Sequence, residues 1–572
     1  MWTSCIFALT RRLPLLPLIC LSPLCITACV AADAEENPAA PLAASPAQES
    51  IALPTAEELE QAGAVIGEIS IDAQNIFDLS DPRENRRLFR LADRLHMKTR
   101  ARVVEKQLLF KSGDPYSQRE LDESARILRS ARYIYDATVQ PVAVHDGKVD
   151  VAVTTRDVWT LNPGLSFGRK GGKSTSGFEL EDLNILGTGS SLSAGRKSGV
   201  DRDSTLFEFK DPHLGDSWTS MLARYANNSD GSQRGLSFDR PFYALDTHWA
   251  AGVSAADDER IEPLYDLGHV VDKFRERSRV AQMYGGWSAG LQDGWTRRWT
   301  IGATFDDRRF DAAPGWTGPI NLIPEDRKLI YPWIGFELVQ DDYRELKNRD
   351  QIGRTEDFYL GTRFSTRLGW AGSSFGSDRD ALMFSATAGH GLGPSSNSML
   401  LLRSSLDGRL ERGELRNTVL DGSIRYYLKQ SERRLFFTTL EGAVGRNLDL
   451  DNQILLGGDN GLRGYPLRYQ AGESRVLLTV EQRYFTDWYP FRLFRIGGAA
   501  FFDIGRTWGD SPVSTLTSTS SQGLLKDIGI GLRIGNSRSG LGNIIHVDIA
   551  LPLDGDPSIS KVQFLVETRE RF

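Results

Sequence analysis

The chain has 572 residues, 40% of them hydrophobic and 25% charged, and carries a net charge of −7. That length admits several ordinary domains or one large all-β unit, and the negative balance leaves no basic footprint for nucleic acid. Beyond the N-terminus no stretch approaches the ~20 apolar residues of a membrane helix. A membrane barrel stays compatible with such a composition, because only alternate residues of its strands face lipid.

All four cysteines, Cys5, Cys20, Cys25 and Cys29, fall at the N-terminal end, where Arg11 and Arg12 precede an apolar run broken by Pro14, Pro17 and Pro23. A charged start, a short apolar core and the small residues Val30-Ala31-Ala32 predict an export signal over residues 1–32. Cleavage after Ala32 would remove every cysteine, so no disulfide framework is expected. The alternative is lipidation at Cys29, since Ile26-Thr27-Ala28-Cys29 has the form of a lipobox.

Residues 33–62 are rich in Ala, Pro and Glu and read as a disordered linker, in which only the weak segment from Thr55 to Gln61 has helical character. Residues 63–156 read as a small α+β domain. Val65 to Ile71 alternates as a strand, and Ser117 with Glu120 has the spacing of a capping box. Leu121, Ala125 and Leu128 then recur at helical spacing. Two strands follow, Ala137 to Val144 and Lys148 to Thr154, joined through Asp146-Gly147, a pair that tolerates the positive φ of a tight hairpin.

Over residues 157–572 short segments of period-two alternation recur, about nineteen in all, separated by Gly, Asp, Asn and Ser. Ile528, Ile530, Leu532 and Ile534 alternate with Asp527, Gly529, Gly531 and Arg533. Leu382, Phe384, Ala386 and Ala388 follow the same rule, as do Ile545, Val547, Ile549 and Leu551 beside His546 and Asp548. One face of each strand is apolar and the other polar or bare. A soluble sandwich would have to bury these polar residues, whereas a water-filled lumen accepts them.

The alternation is interrupted at Gly457 to Tyr469, GGDNGLRGYPLRY. Downstream come VEQRYF from Val480, FFDIGRTW from Phe501, and a last segment VQFLVETRERF ending at Phe572. These four ordered segments resemble the end of the BamA/TamA family of outer-membrane assembly proteins, within the bacterial surface antigen superfamily. Residues 99–117, TRARVVEKQLLFKSGDPYS, and 121–139, LDESARILRSARYIYDATV, resemble a single POTRA domain. The family's essential insertase carries several, so the likeness does not extend to its lipoprotein partners.

The resemblance implies a mainly β protein: a C-terminal transmembrane antiparallel β-barrel of about 16 strands, within the range open to such barrels, preceded by one periplasmic α+β POTRA domain. It further implies that the loop after the eleventh strand folds into the lumen. The motif residues would be Gly457, Gly458, Leu462, Arg463, Gly464 and Tyr465, with Arg463 meeting the acids Glu481 and Asp503. A guanidinium fork suits paired carboxylates, and the glycines permit close approach. The last segment matches the barrel-recognition signal, with Phe564, Val566, Thr568, Glu570 and Phe572 expected on one face.

The function so implied is non-enzymatic and free of cofactors: insertion, assembly or translocation of other polypeptides at the bacterial outer membrane. The expected partners are the lipid bilayer, unfolded or partly folded clients, and periplasmic accessory proteins at the POTRA domain. The alternatives are a two-partner-like secretion pore, in which residues 55–61 would supply a plug helix, and a passive channel or structural surface protein. Catalytic look-alikes fail on context. Gly164-Leu165-Ser166-Phe167-Gly168 spells a hydrolase elbow without a following helix, and Gly171-Gly172-Lys173-Ser174 has Phe167 where a phosphate loop needs glycine. The seven histidines are scattered and predict no metal site.

Overall fold

The computed structural model describes residues 53–316, 322–395, 397–509, 523–540, 544–554, 557, 559–569 and 571–572. The export segment, Cys29 and Glu570 lie outside the described residues. The chain forms a closed barrel of twenty antiparallel strands with a small α+β unit seated on one end, here called the near end.

The α+β unit is a three-stranded sheet in which Val65–Gln74 lies parallel to Lys148–Asp157, and the latter pairs antiparallel with Ile134–His145. Asp146 and Gly147 both take positive φ, 49° and 73°, as the hairpin requires. Leu121, Ala125 and Leu128 of the helix Gln118–Ser130 are buried on the sheet with Val149, Val151 and Val153.

Three features differ from the sequence expectation. Ser117 caps the helix Gln118–Ser130 without a side-chain hydrogen bond; Glu60 reaches across instead and accepts from the Gln118 N–H at 3.0 Å. A capping box does form, but at Thr55 and Glu58, which start the helix Ala56–Gln61. The linker therefore does not run to residue 62. Leu59 of this helix is buried in the core of the α+β unit, which also removes it as a lumen plug.

The barrel strands follow chain order, from Leu161–Lys170 to Gln563–Arg569. Alternation fixes their faces. In Leu525–Asn536 the outward residues Ile528, Ile530 and Leu532 are exposed, while Asp527 and Arg533 are buried inside. On the outer face a cross-strand row of Trp249, Trp287 and Trp299 lies near the end that carries the α+β unit, the position of an aromatic girdle.

The count of twenty replaces the expected sixteen or so. Five strands still follow the interrupted segment, so this loop comes after the fifteenth strand, Arg434–Arg446, rather than the eleventh. The additional strands all precede the loop, and alternation alone cannot distinguish them from the rest. Two short hairpins interrupt the meander. One pairs Ile454–Leu456 with Gln470–Gly472, and the other pairs Tyr343–Lys347 with Thr355–Tyr359.

Closure of the barrel is uneven. Among the described residues the last strand pairs with its preceding neighbour over seven positions, but with the first strand at a single position, Val566 opposite Arg169.

Candidate functional site: a lumenal arginine, a plugging hairpin and a thin seam

The hairpin Ile454–Leu456 with Gln470–Gly472 carries its tip into the lumen from the far end. Gly461 has φ +116°, and Gly464 lies so close to the eighteenth strand, Leu525–Asn536, that an added Cβ would sit 2.5 Å from Cβ of Asp527. Leu462, Tyr465 and Tyr469 are buried beside Leu477 and Leu525. The single proton of the Tyr465 hydroxyl is shared between the carbonyls of Lys526 and Asp554, 2.8 and 2.9 Å away. The tip is thus fixed by apolar packing on one side and polar contacts on the other.

Arg463 is 2% exposed. Its Nε and Nη2 donate to the two carboxylate oxygens of Asp503 at 2.7 and 2.8 Å, and Nη1 donates to Glu481 Oε1 at 2.8 Å. The guanidinium lies 3.4 Å over the Phe501 ring, a cation–π contact that adds to the fork. The structure therefore brings together the three residues the sequence paired.

Residues that the sequence did not single out complete the cluster. Thr479 donates to Asp503 at 2.8 Å and Arg483 Nε to Glu481 Oε2 at 2.9 Å. The Gly464 N–H donates to Asp527 at 3.0 Å, and Arg533 pairs with Asp548. Alternation did place Asp527, Arg533 and Asp548 on polar faces, but period two carries no information about depth along the barrel. Gly457 and Gly458 stand where the loop backbone doubles back on itself, each too close to other loop backbone atoms to accept a Cβ.

The second hairpin, Tyr343–Lys347 with Thr355–Tyr359, closes the near end. Ile352, Phe358 and Leu360 are buried against lumenal Leu401, Tyr427 and Phe437, and against the chain terminus, Phe572. Asp350 at its turn accepts from the Tyr427 hydroxyl at 3.0 Å and lies 3.5 to 3.7 Å from Arg483, Arg571 and Arg425. The same hairpin is bound to the α+β unit: Arg129 makes a two-bond fork to Asp357 at 2.6 and 2.9 Å and reaches Glu345 at 2.6 Å.

The C-terminal segment is only partly as the sequence implied. Phe564 is exposed on the outer face and Val566 lies half-buried there. Phe572, expected on the same face, is 3% exposed and packs inside against Phe485, the rings tilted by 57° with centroids 4.9 Å apart. The strand ends at Arg569, so period-two extrapolation no longer holds for the last residue. At the other end of the seam Lys170 Nζ joins Glu567 at 2.8 Å and the Asp459 carbonyl of the lumenal loop at 3.2 Å. The hydrolase-like Gly164 to Gly168 run lies within the first strand and forms no elbow.

A family model described as the Omp85 superfamily domain matches residues 184–568. The chain belongs to the Omp85 superfamily. It is therefore an outer-membrane barrel, as its BamA/TamA-like motifs indicated. Solved structures similar to this Omp85 chain include BamA from Haemophilus ducreyi lacking POTRA domains 1–3, 11% identical, with 88% of this chain and 84% of that one covered and a TM-score of 0.36. CdiB from Acinetobacter baumannii is 13% identical over 89% and 73% of the two chains, TM-score 0.41. CdiB from Escherichia coli is 12% identical over 88% and 76%, TM-score 0.43. Among curated proteins none matches.

Proposed function

We propose that this Omp85 barrel inserts or assembles client polypeptides at the outer membrane by opening its seam, with the α+β unit acting as a periplasmic POTRA domain. The observation that carries this reading is the seam itself, in which, among the described residues, one paired position joins the first and last strands. A closed barrel satisfies its backbone internally, and an opened one presents two strand edges. Such edges template an incoming strand through main-chain hydrogen bonds and so accept varied sequences.

The POTRA edge strand would hold the client first. The hairpin around Asp350 then links that unit to the end of the last strand, since it contacts both Arg129 and Phe572. No catalytic residue, metal or cofactor takes part; folding of the client and burial of its surface in lipid drive the step.

A secretion pore is the second reading. It requires both the Arg463 loop and the Asp350 hairpin to leave the lumen, against the buried contacts that fix each of them. Insertion through the seam leaves these contacts in place, which favours it.

The test is a locked seam. Arg169→Cys with Val566→Cys would join the two strands where they pair. In liposomes the oxidised variant is expected to lose client-barrel assembly and regain it with reductant. Undiminished assembly by the oxidised protein would overturn the seam mechanism, and loss of transport without loss of insertion would favour the pore.

A further inference from the structure

The outer face of the barrel is not uniformly covered by large side chains. Across strands seven to ten, Trp249–Asp266, His269–Gln292, Trp295–Ala312 and Arg327–Gln340, two adjacent cross-strand rows contain Ala251 beside Gly285 and Ala303 beside Pro332. These small residues form the floor of a depression of about 1180 Å³, larger than an ordinary small-molecule pocket of about 300–1,000 Å³. Its walls are exposed side chains: Met283 and Ile301 between the strands, Trp249 and Trp370 at opposite borders. An added Cβ at Gly285 would meet nothing within 4 Å, so the space above it is open.

Arg240 sits at the edge of this depression. It pairs with Ala251 across the strands and so lies on the outward face, one row from the tryptophan girdle. Its guanidinium stacks 3.6 Å over Trp249 and 5.1 Å from Tyr243, and Nη1 donates to the Trp249 carbonyl. Among the described residues no carboxylate pairs with it, unlike most lumenal arginines. A cation on the outer face is costly in hydrocarbon and tolerated at the interface, where its remaining N–H donors meet lipid headgroups. A guanidinium presents several donors in a fixed plane, a match for phosphate oxygens.

We propose that this groove holds one phospholipid of the periplasm-facing leaflet, its phosphate on Arg240 and an acyl chain laid across Gly285 and Ala303. The orientation rests on the periplasmic placement of the α+β unit proposed above; the client-handling role does not enter. Outward Arg240 supplies the charge complementarity, the girdle sets its depth, and the bare floor supplies a recess deeper than the neighbouring barrel wall. A lipid bound here is exchanged more slowly than the lipids around it.

The experiment is native mass spectrometry of the full-length barrel in mild detergent with added phosphatidylglycerol. The wild type is expected to retain one lipid at activation energies that strip the others. Gly285→Leu, which fills the floor, should reduce that retained species about tenfold, and Arg240→Gln should reduce it for phospholipid while leaving an uncharged diacylglycerol unaffected. Gly442→Leu, also on the outer face with no close neighbour except the Arg475 carbonyl at 3.7 Å, is the control. Heat-modifiable migration on gels establishes that each variant is folded, and Ala303→Leu serves if Gly285→Leu is not. Retention that survives both floor substitutions, or that Gly442→Leu removes equally, would overturn the site and leave ordinary annular lipid. The locked-seam protein should retain the lipid, so failure here and failure of the seam mechanism are distinguishable.

Discussion

The backbone N–H of Phe572 donates to the carbonyl of Asp350 at 2.7 Å, so the end of the last barrel strand is held by a hairpin inserted between the tenth and eleventh strands. The Asp350 carboxylate faces Arg425, Arg483 and Arg571 and accepts from Tyr427. Asp350→Asn removes the one negative charge these cations share there, and hydrogen bonds to charged groups each contribute about 1.5–3 kcal/mol. We expect a folded barrel with a loosened hairpin, read as new protease cleavage between residues 343 and 359 and a higher single-channel conductance. Replacing that hairpin by a short glycine-serine turn should raise conductance further. Equal conductance in all three proteins would mean that the hairpin does not close the lumen.

Arg463 tests the far side. Removing one partner of a buried ion pair costs roughly 3–5 kcal/mol, and Arg463→Ala would leave Asp503 without its guanidinium fork and Glu481 paired with Arg483 alone. The barrel should still form, because its strand pairing does not involve Arg463, but the Gly457 to Tyr469 loop should become protease-sensitive. Arg463→Lys should restore protection only weakly: an ammonium can neither make the fork to Asp503 nor stack flat on Phe501. Wild-type protection in both variants would show that the apolar cluster around Leu462 and Tyr465 holds the loop alone.

These two features differ in how far the sequence announced them. The Arg463 contacts were legible through the family resemblance: the interrupted alternation marked the glycine-rich segment, and the resemblance implied that its arginine meets the two acids downstream. Asp527, Arg533 and Asp548 were not, because polar faces recur on every strand and only closure of the barrel brings particular ones to the same depth. The Asp350 hairpin was hidden for a different reason: its insertion into the lumen is decided by Ile352, Phe358 and Leu360 meeting residues distant in the chain, which local pattern does not encode. Strand number escapes the sequence because added strands repeat the same pattern, and the inward place of Phe572 because the final strand stops three residues before it.

The N-terminal processing is open to a direct measurement. Cleavage after Ala32 predicts a mature protein that starts at Asp33, lacks cysteine and fractionates with outer membranes. Mass spectrometry of the purified protein is expected to find that unmodified terminus, and Cys29→Ala should not alter it. A diacylated N-terminus at Cys29 would overturn the prediction and make the chain a membrane-anchored lipoprotein as well as a barrel.

The hairpin should also respond to pH. Glu356 accepts the backbone N–H groups of Arg349, Asp350 and Gln351 at 2.9, 2.8 and 3.1 Å; burial, and then the neighbouring Asp350 charge, nonetheless push its pKa up from 4.5 to about 8. A carboxyl whose pKa is higher in the docked hairpin than in the free one takes up a proton on docking. Docking is therefore strongest below about pH 4.5 and weakens as pH rises through the window up to about 8. Each pH unit in that window is worth at most ~1.4 kcal/mol, and partial solvent exposure reduces the change between pH 6 and pH 8 to about 1–2 kcal/mol. Cleavage of the hairpin by a protease, normalised to an unstructured peptide at each pH, is expected to accelerate over that range. Glu356→Gln keeps an acceptor oxygen and cannot ionise, so its cleavage rate should stay nearly flat. A wild-type rate that does not change, or a glutamine variant with the same slope, would assign hairpin docking to the Asp350 cluster and to Phe358 packing alone.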